Sequence, residues 1–373
     1  MRGVKRILSV ALAACILLSG LGCISATAAS EKAFTVMLYM CGSRLESLHG
    51  YASAALQQLL FCGADTQRMN VVVMTGGARR WHSDASKSAS QVVVLHNTHF
   101  IIVEGNTVRS SREENVLPQY ALQWEGEAMN MGDSGTLTAF LDYCVANFPA
   151  RQYALMLWSG MGSPADGLGA DELFDDDFLT IDELTAALDA SAFSGDARLS
   201  WIAPLASLMG NLDVAAACAP YAERMIADEG LGDSFDFGFL EGLEDDLGGE
   251  TVMRAMIDGY AEDPIGGDGM PRSMACLALD AVGEVVRARD ALLEALKNEG
   301  LSAGLKMKLL KGEADDSPLR LWASYGLFDL GLLSEKLSEQ LPAECAALRE
   351  ALDGAIVYQR ANIVGPAGVS TYL

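Results

Sequence analysis

Ser207 is where this 373-residue sequence comes nearest to a reactive group in a reactive place. Residues 199–206 form a short apolar run of the kind that makes a buried strand. Residues 209–219 read as a helix, with Leu212, Ala215 and Ala216 on one face and Pro220 as its stop. Ser207 falls where the strand hands over to the helix, and in open α/β sheets ligands and reactive groups gather at that carboxyl end. A serine hydroxyl can attack an acyl carbon only if a base within hydrogen-bond reach takes its proton. The plainer role is a helix cap, which serine favours. The sequence holds four histidines, His49, His82, His96 and His99. Of these His82, after Arg79-Arg80-Trp81, lies on a strand-exit loop that could swing towards Ser207; a surface histidine is the stronger expectation. Cys41, at the end of the first strand, carries a thiol that ionises more readily than a hydroxyl, yet its apolar surroundings predict packing. Cys218 lies eleven residues past Ser207, about three helical turns away, and cannot replace it.

The elements that would hold these residues follow in order. Residues 34–41 alternate and are β-rich, 42–46 turn the chain, 52–61 form an amphipathic helix, and 70–74 make a second buried strand leaving through Thr75-Gly76-Gly77. This βαβ order implies a parallel pair with a right-handed crossover. Residues 91–95 and 100–103 read as a hairpin turning at Asn97-Thr98, 106–132 as a polar loop, 134–147 as a helix and 153–158 as a third central strand. That strand leaves through Trp158-Ser159-Gly160-Met161-Gly162. Thr180-Ile181-Asp182-Glu183 is a capping box opening the helix to Leu188. Later helices are expected at 251–261, 282–299 and 343–352, with strands at 221–229, 274–279 and 355–359.

Composition narrows the function. The net charge of −24 argues against nucleic-acid or anionic-membrane binding, both of which need basic patches. Residues 161–197 carry ten carboxylates and neither Lys nor Arg. Clustered hard oxygens at 171–177 invite a calcium reading, but the spacing of a twelve-residue calcium loop and its turn glycine are missing, so a solvated acidic loop is expected. Six cysteines beyond the amino terminus are scattered without a Cys-x-x-Cys pair, which points to buried thiols rather than zinc. Residues 1–29 read as a signal peptide, with Arg2, Lys5 and Arg6, an apolar stretch at 7–18 and Ala26-Thr27-Ala28 before the cut. The remainder, 30–373, reads as one exported domain without a later membrane span; lipid attachment at Cys23 is the alternative.

The run Leu205-Ala206-Ser207-Leu208-Met209-Gly210-Asn211 resembles the Asp-Ala-Cys-Leu-Met-Gly-Asn-like signature of the clostripain-type cysteine peptidases. Tyr39-Met40-Cys41-Gly42, Thr75-Gly76-Gly77, the reduced acidic run Ala227-Asp228-Glu229 and Tyr325-Gly326-Leu327-Phe328-Asp329-Leu330 extend the resemblance over nearly all of residues 30–373. It implies a caspase-like α/β fold, a three-layer α-β-α sandwich with a mostly parallel central sheet. It also implies a cysteine nucleophile at position 207, a histidine base at 160 and an acid at 205 that selects a basic residue before the cut bond. Ser207, Gly160 and Leu205 occupy those places, and Arg44 stands where an Asp is usual. Family members are often calcium-dependent and self-cleaved after a basic residue in the interval that here lacks one. In an unrelated serine protease, loss of nucleophile or base costs on the order of 10⁶ in turnover, and two complementary losses are expected to abolish catalysis. The expectation is therefore an exported pseudopeptidase that binds a peptide or protein. The alternative is an active endopeptidase in which Ser207 works with a histidine from elsewhere, such as His82.

Overall fold

A computed structural model of the chain describes residues 31–82, 90–99, 101–104, 107–110, 116–159, 161–231, 235, 237–241, 243, 246–247, 249–262, 272–298, 325–362 and 366–372. The signal-peptide reading, Cys23 and Gly160 lie outside the described residues.

The elements run β1 (Lys32–Cys41), α1 (Ser43–His49), α2 (Tyr51–Leu60), β2 (Met69–Gly76), β3 (Gln91–His99), β4 (Ile101–Glu104), β5 (Thr107–Ser110) and β6 (Val116–Glu125). Next come α3 (Ser134–Asn147), β7 (Ala150–Trp158), β8 (Gly162–Ser163), β9 (Gly167–Asp171), β10 (Asp177–Leu179), α4 (Ile181–Ala190), β11 (Trp201–Leu205), α5 (Leu212–Cys218) and β12 (Arg224–Asp228). The last are α6 (Glu250–Glu262), β13 (Ser273–Ala278), α7 (Val282–Asn298), β14 (Leu327–Asp329), α8 (Leu330–Leu337), α9 (Pro342–Ala355), β15 (Ile356–Ala361) and β16 (Ser370–Tyr372).

Among the described residues the main sheet has nine strands, in the order β15-β13-β12-β11-β7-β1-β2-β3-β6. The five in the middle, β12 to β2, are parallel. Antiparallel strands flank them on both edges. Both faces of the sheet are covered, and β1 shows how the sequence arranges this. Phe34, Val36, Leu38 and Met40 pack into one layer with α2 and α6. Met37, Tyr39 and Cys41 pack into the other with α3, α4, α5, α7, α8 and α9. Side chains alternate across a strand, so a run apolar at every position must be buried on both sides. The result is the expected three-layer α-β-α sandwich with a mostly parallel centre. No helix among the described residues is long and apolar enough to cross a membrane.

Three local expectations fail. Residues 116–125, read as part of a polar loop, form β6 and pair antiparallel with β3 from Gln91↔Glu125 to His99↔Val116. An edge strand is half solvated (Leu122 is 55% exposed), so its composition looks like that of a loop. The same pairing carries β3 straight through Asn97-Thr98, and Ile101–Glu104 pairs with Thr107–Ser110 instead. Residues 42–46, read as a turn, lead instead into α1, which runs from Ser43 to His49: the Gly42 N–H is fixed to the Gly76 carbonyl, and Gly50, at φ 72°, closes the helix. The capping box at Thr180 and Glu183 forms as expected.

Candidate functional site

The parallel strands end together, so the exits of β2, β1, β7, β11 and β12 share one edge of the sheet, the place where an open α/β fold binds ligands. Strained backbone collects on loops at this edge. Among the described residues Ser43, Asp175, Asp176 and Leu208 are the non-glycine positions with positive φ. Asp tolerates that conformation, whereas for Ser and especially Leu it must be imposed by surrounding structure. Arg44 ties α1 to the Asp175–Asp176 loop through its 2.6 Å bond to the Asp176 carboxylate.

Leu205 ends β11 opposite Trp158 of β7, and its carbonyl accepts the Ser159 N–H at 3.0 Å. Its side chain is partly buried and packs with the layer that holds Trp158. Ser207 follows on a turn and is partly exposed. Three backbone bonds fix that turn: Leu208 N–H to the Gly230 carbonyl at 2.7 Å, Gly210 N–H to the Asp228 carbonyl at 2.7 Å, and Ser370 N–H to the Gly210 carbonyl at 2.8 Å. Leu208, at φ 66°, is 3% exposed and packs with Leu327, Phe328 and Leu332. Gly210 approaches the next strand so closely that a Cβ would lie 2.6 Å from the Glu229 backbone nitrogen. The helix cap is Asn211, whose side chain accepts the Asp213 N–H, so α5 starts at Leu212 and Ser207 does not cap it. A cap must sit immediately before the first helical turn, and Ser207 is four residues too early.

The other candidates lie elsewhere along the edge. The His82 backbone N–H donates to Glu46 Oε1 at 2.7 Å and to Ser53 Oγ at 3.1 Å, and its Nδ1 lies 3.3 Å from Glu46 Oε1. Glu46 is fully buried and also accepts the Ser53 N–H and hydroxyl. His82 leaves the sheet from β2, three strand spacings from β11, which places the two exits about 14 Å apart. β7, which ends at Trp158, is the immediate neighbour of β11. Among the described residues no hydrogen bond joins Ser207 to an imidazole. Cys41 is buried against Gly77 and Gly169. Burial, with Asp171 adding negative charge, pushes its thiol well above the ordinary value, which keeps it protonated and inert. Burial likewise pushes Cys218 up to about 12. The described cysteines outside the amino terminus are buried.

The acidic segment is built into the structure. Asp171 accepts the N–H groups of Met131 and Leu173, each at 2.8 Å. Glu172 accepts the Ser47 hydroxyl and the Arg79 N–H, while its carbonyl accepts the Arg79 guanidinium at 3.2 and 3.3 Å. Asp177 accepts Asn130 Nδ2 at 2.7 Å. These oxygens already face protein donors, and no group of three or more His, Cys, Asp or Glu among the described residues is arranged to hold a metal.

The residues of the clostripain family match the chain over 38–372. The chain belongs to the clostripain family. Among solved structures, it is similar to a secreted C11 cysteine protease from Bacteroides thetaiotaomicron in complex with an irreversible peptide inhibitor. That likeness has 15% identity, 91% of this chain and 92% of the other covered, and a TM-score of 0.64. An inactive zymogen C11 protease from Parabacteroides distasonis matches at 17% identity over 92% of both chains, with a TM-score of 0.58. Likenesses this distant in sequence carry the fold. No curated protein matches the sequence significantly.

One contact at this edge has no counterpart in the sequence reading. Glu229, just past β12, is fully buried, and among the described residues neither of its carboxyl oxygens meets an N–H or hydroxyl donor. Its partner is the carboxyl of Asp329, also buried. Asp329 caps α8, accepting the N–H groups of Leu332 and Ala367 at 2.7 Å each. Burial, reinforced by the charge of Asp329, pushes Glu229 well above the usual carboxyl range. Burial pushes Asp329 up to about 6 against its backbone donors. Both residues stand in recognisable stretches of sequence, but one hundred positions separate them and no local pattern predicts their contact.

Proposed function

We propose that this clostripain-family homologue is an exported pseudopeptidase, whose cleft at the strand exits binds a peptide or protein segment without cutting it. Support begins with residue types. Gly160 stands where the family resemblance puts the imidazole, Ser207 where it puts the thiol, and Leu205 where it puts the acid that selects a basic side chain. The observation that carries the reading is the position of His82, held by Glu46 and Ser53 on an exit three strands from Ser207. A serine hydroxyl without a base in reach is a poor nucleophile. The peptide inhibitor on the similar Bacteroides protease supports a peptide as the class of ligand.

The competing reading, an active hydrolase using Ser207 and His82, draws on one feature. Glu46 at Nδ1 leaves Nε2 free, the orientation a base requires. The strand spacing weighs against it. Purified protein treated with activity-based probes for serine and for cysteine hydrolases decides between the two. Wild type, Ser207→Ala and His82→Ala are expected to show the same absence of labelling. Labelling of wild type that vanishes in Ser207→Ala overturns the pseudopeptidase reading.

A further inference from the structure

The turn that carries Ser207 rests on a pair of buried acids. Gly210 lies against the backbone of Asp228 and Glu229, and its N–H and carbonyl bond to β12 and β16. The Gly230 N–H donates in turn to Asp228 Oδ1 at 3.0 Å. Asp329 pairs with Ser370 across β14 and β16 and accepts the Ala367 N–H. Glu229 and Asp329 therefore sit where the Ser207 turn, the β12 exit, the start of α8 and the carboxyl-terminal strand converge.

Two carboxyls can hydrogen-bond each other only if one carries a proton. Asp329 already accepts N–H groups on both oxygens, whereas Glu229 meets no donor among the described residues, so the proton is assigned to Glu229, facing Asp329. The charged groups acting on Glu229 are Asp329 and Asp228, both negative. Arg272 offsets Asp228, as does the Tyr260 hydroxyl bonded to it. Removing the Glu229 proton would leave buried carboxylates facing one another, with no cation paired to Glu229 among the described residues.

We propose that the Glu229–Asp329 carboxyl pair is a proton-dependent clasp, closed when Glu229 is protonated and loosening the Ser207 turn, α8 and the carboxyl-terminal strand when that proton leaves. This goes beyond the assigned function and holds whether or not Ser207 is reactive. Because Glu229 binds its proton more tightly folded than unfolded, its contribution to stability is fully present below the unfolded carboxyl value. It is lost as pH rises through the folded value.

The test compares wild type with Glu229→Gln, which keeps a donor towards Asp329 but cannot ionise. Urea unfolding is followed from about pH 5 to about pH 9. While folded Glu229 stays protonated, the wild-type folding constant is expected to fall about tenfold per pH unit relative to the variant, the signature of one extra bound proton. Above the point where folded Glu229 ionises, the Leu208 and Gly210 amides should exchange hydrogen faster in wild type than in the variant at the same pH. Identical pH slopes, or turn exchange that matches at every pH, overturn the clasp. If the variant fails to fold, infrared spectroscopy of wild type takes its place. A protonated carboxyl band at neutral pH, lost at high pH together with protection of those amides, supports the proposal. Absence of that band at neutral pH overturns it.

Discussion

Leu208 provides a sharp test of how the Ser207 turn is held, because two opposing effects act on one side chain. Its φ of 66° lies in the left-handed region, and its side chain, 3% exposed, packs with Leu327, Phe328 and Leu332. Truncation to alanine removes the packing and leaves the backbone strain, so Leu208→Ala should destabilise by about 2–5 kcal/mol. Truncation to glycine removes the same packing and also relieves roughly 1–2 kcal/mol of left-handed strain. Elsewhere glycine is less stable than alanine by about 0.5–1 kcal/mol because it frees the unfolded chain. The relief exceeds that cost, so Leu208→Gly should be more stable than Leu208→Ala by about 0.5–1 kcal/mol, the reverse of the usual order. Urea unfolding of wild type and both variants, with unchanged denaturant slopes, gives the comparison. If glycine proves less stable than alanine, Leu208 does not hold the left-handed conformation, and the account of a turn held in strain by packing fails.

Two further outcomes follow from the same turn. In Gly210→Ala the new methyl meets the Glu229 nitrogen at 2.6 Å, the Asp228 carbonyl carbon at 2.8 Å and the Glu229 Cα at 2.9 Å, all backbone atoms that cannot rotate away. The variant should lose about 1–3 kcal/mol, read as a lower urea midpoint; an unchanged midpoint would show that the approach is looser than described. The triple variant Gly160→His, Leu205→Asp, Ser207→Cys should gain cleavage after Arg or Lys in fluorogenic peptides, because β7 and β11, which end at Trp158 and Leu205, are adjacent. A correctly folded triple variant without activity would show that the cleft has changed beyond those positions.

Much of the fold is legible because the central strands are apolar on both faces. In 34–41 and 70–76 every residue must find a buried partner, which dictates a parallel sheet covered by helices. The same logic fails at the edges. Val116–Glu125 is solvated on one side, so its composition matches a loop, and its place in the sheet comes from pairing with β3. The turn at 42–46 is misread for a related reason: α1 is fixed by Gly42 bonding to β2, a contact thirty-four positions away. Of the site, Ser207 and Leu205 fall where strand, turn and helix signals place them. The cap on α5 does not, because Ser207 and Asn211 are both good caps by type and only geometry chooses between them.

The turn persists without depending on what the 207 side chain can do. Its shape is set by the Leu208 side chain in its apolar pocket, by Gly210 against β12, by the Asn211 cap and by the bond from Ser370. None of these contacts involves the Ser207 hydroxyl. Exchanging a thiol for a hydroxyl at that position therefore alters none of these interactions. Packing and catalysis rest here on different atoms, which is why the signature frame around Ser207 stays readable in a chain whose reactive residues differ from those the family resemblance implies. The buried acid pair belongs to the packing side of that division. Its effect on the turn should therefore survive Ser207→Ala unchanged, and a pH dependence of turn exchange that disappeared in that variant would place the hydroxyl back among the groups that hold the loop.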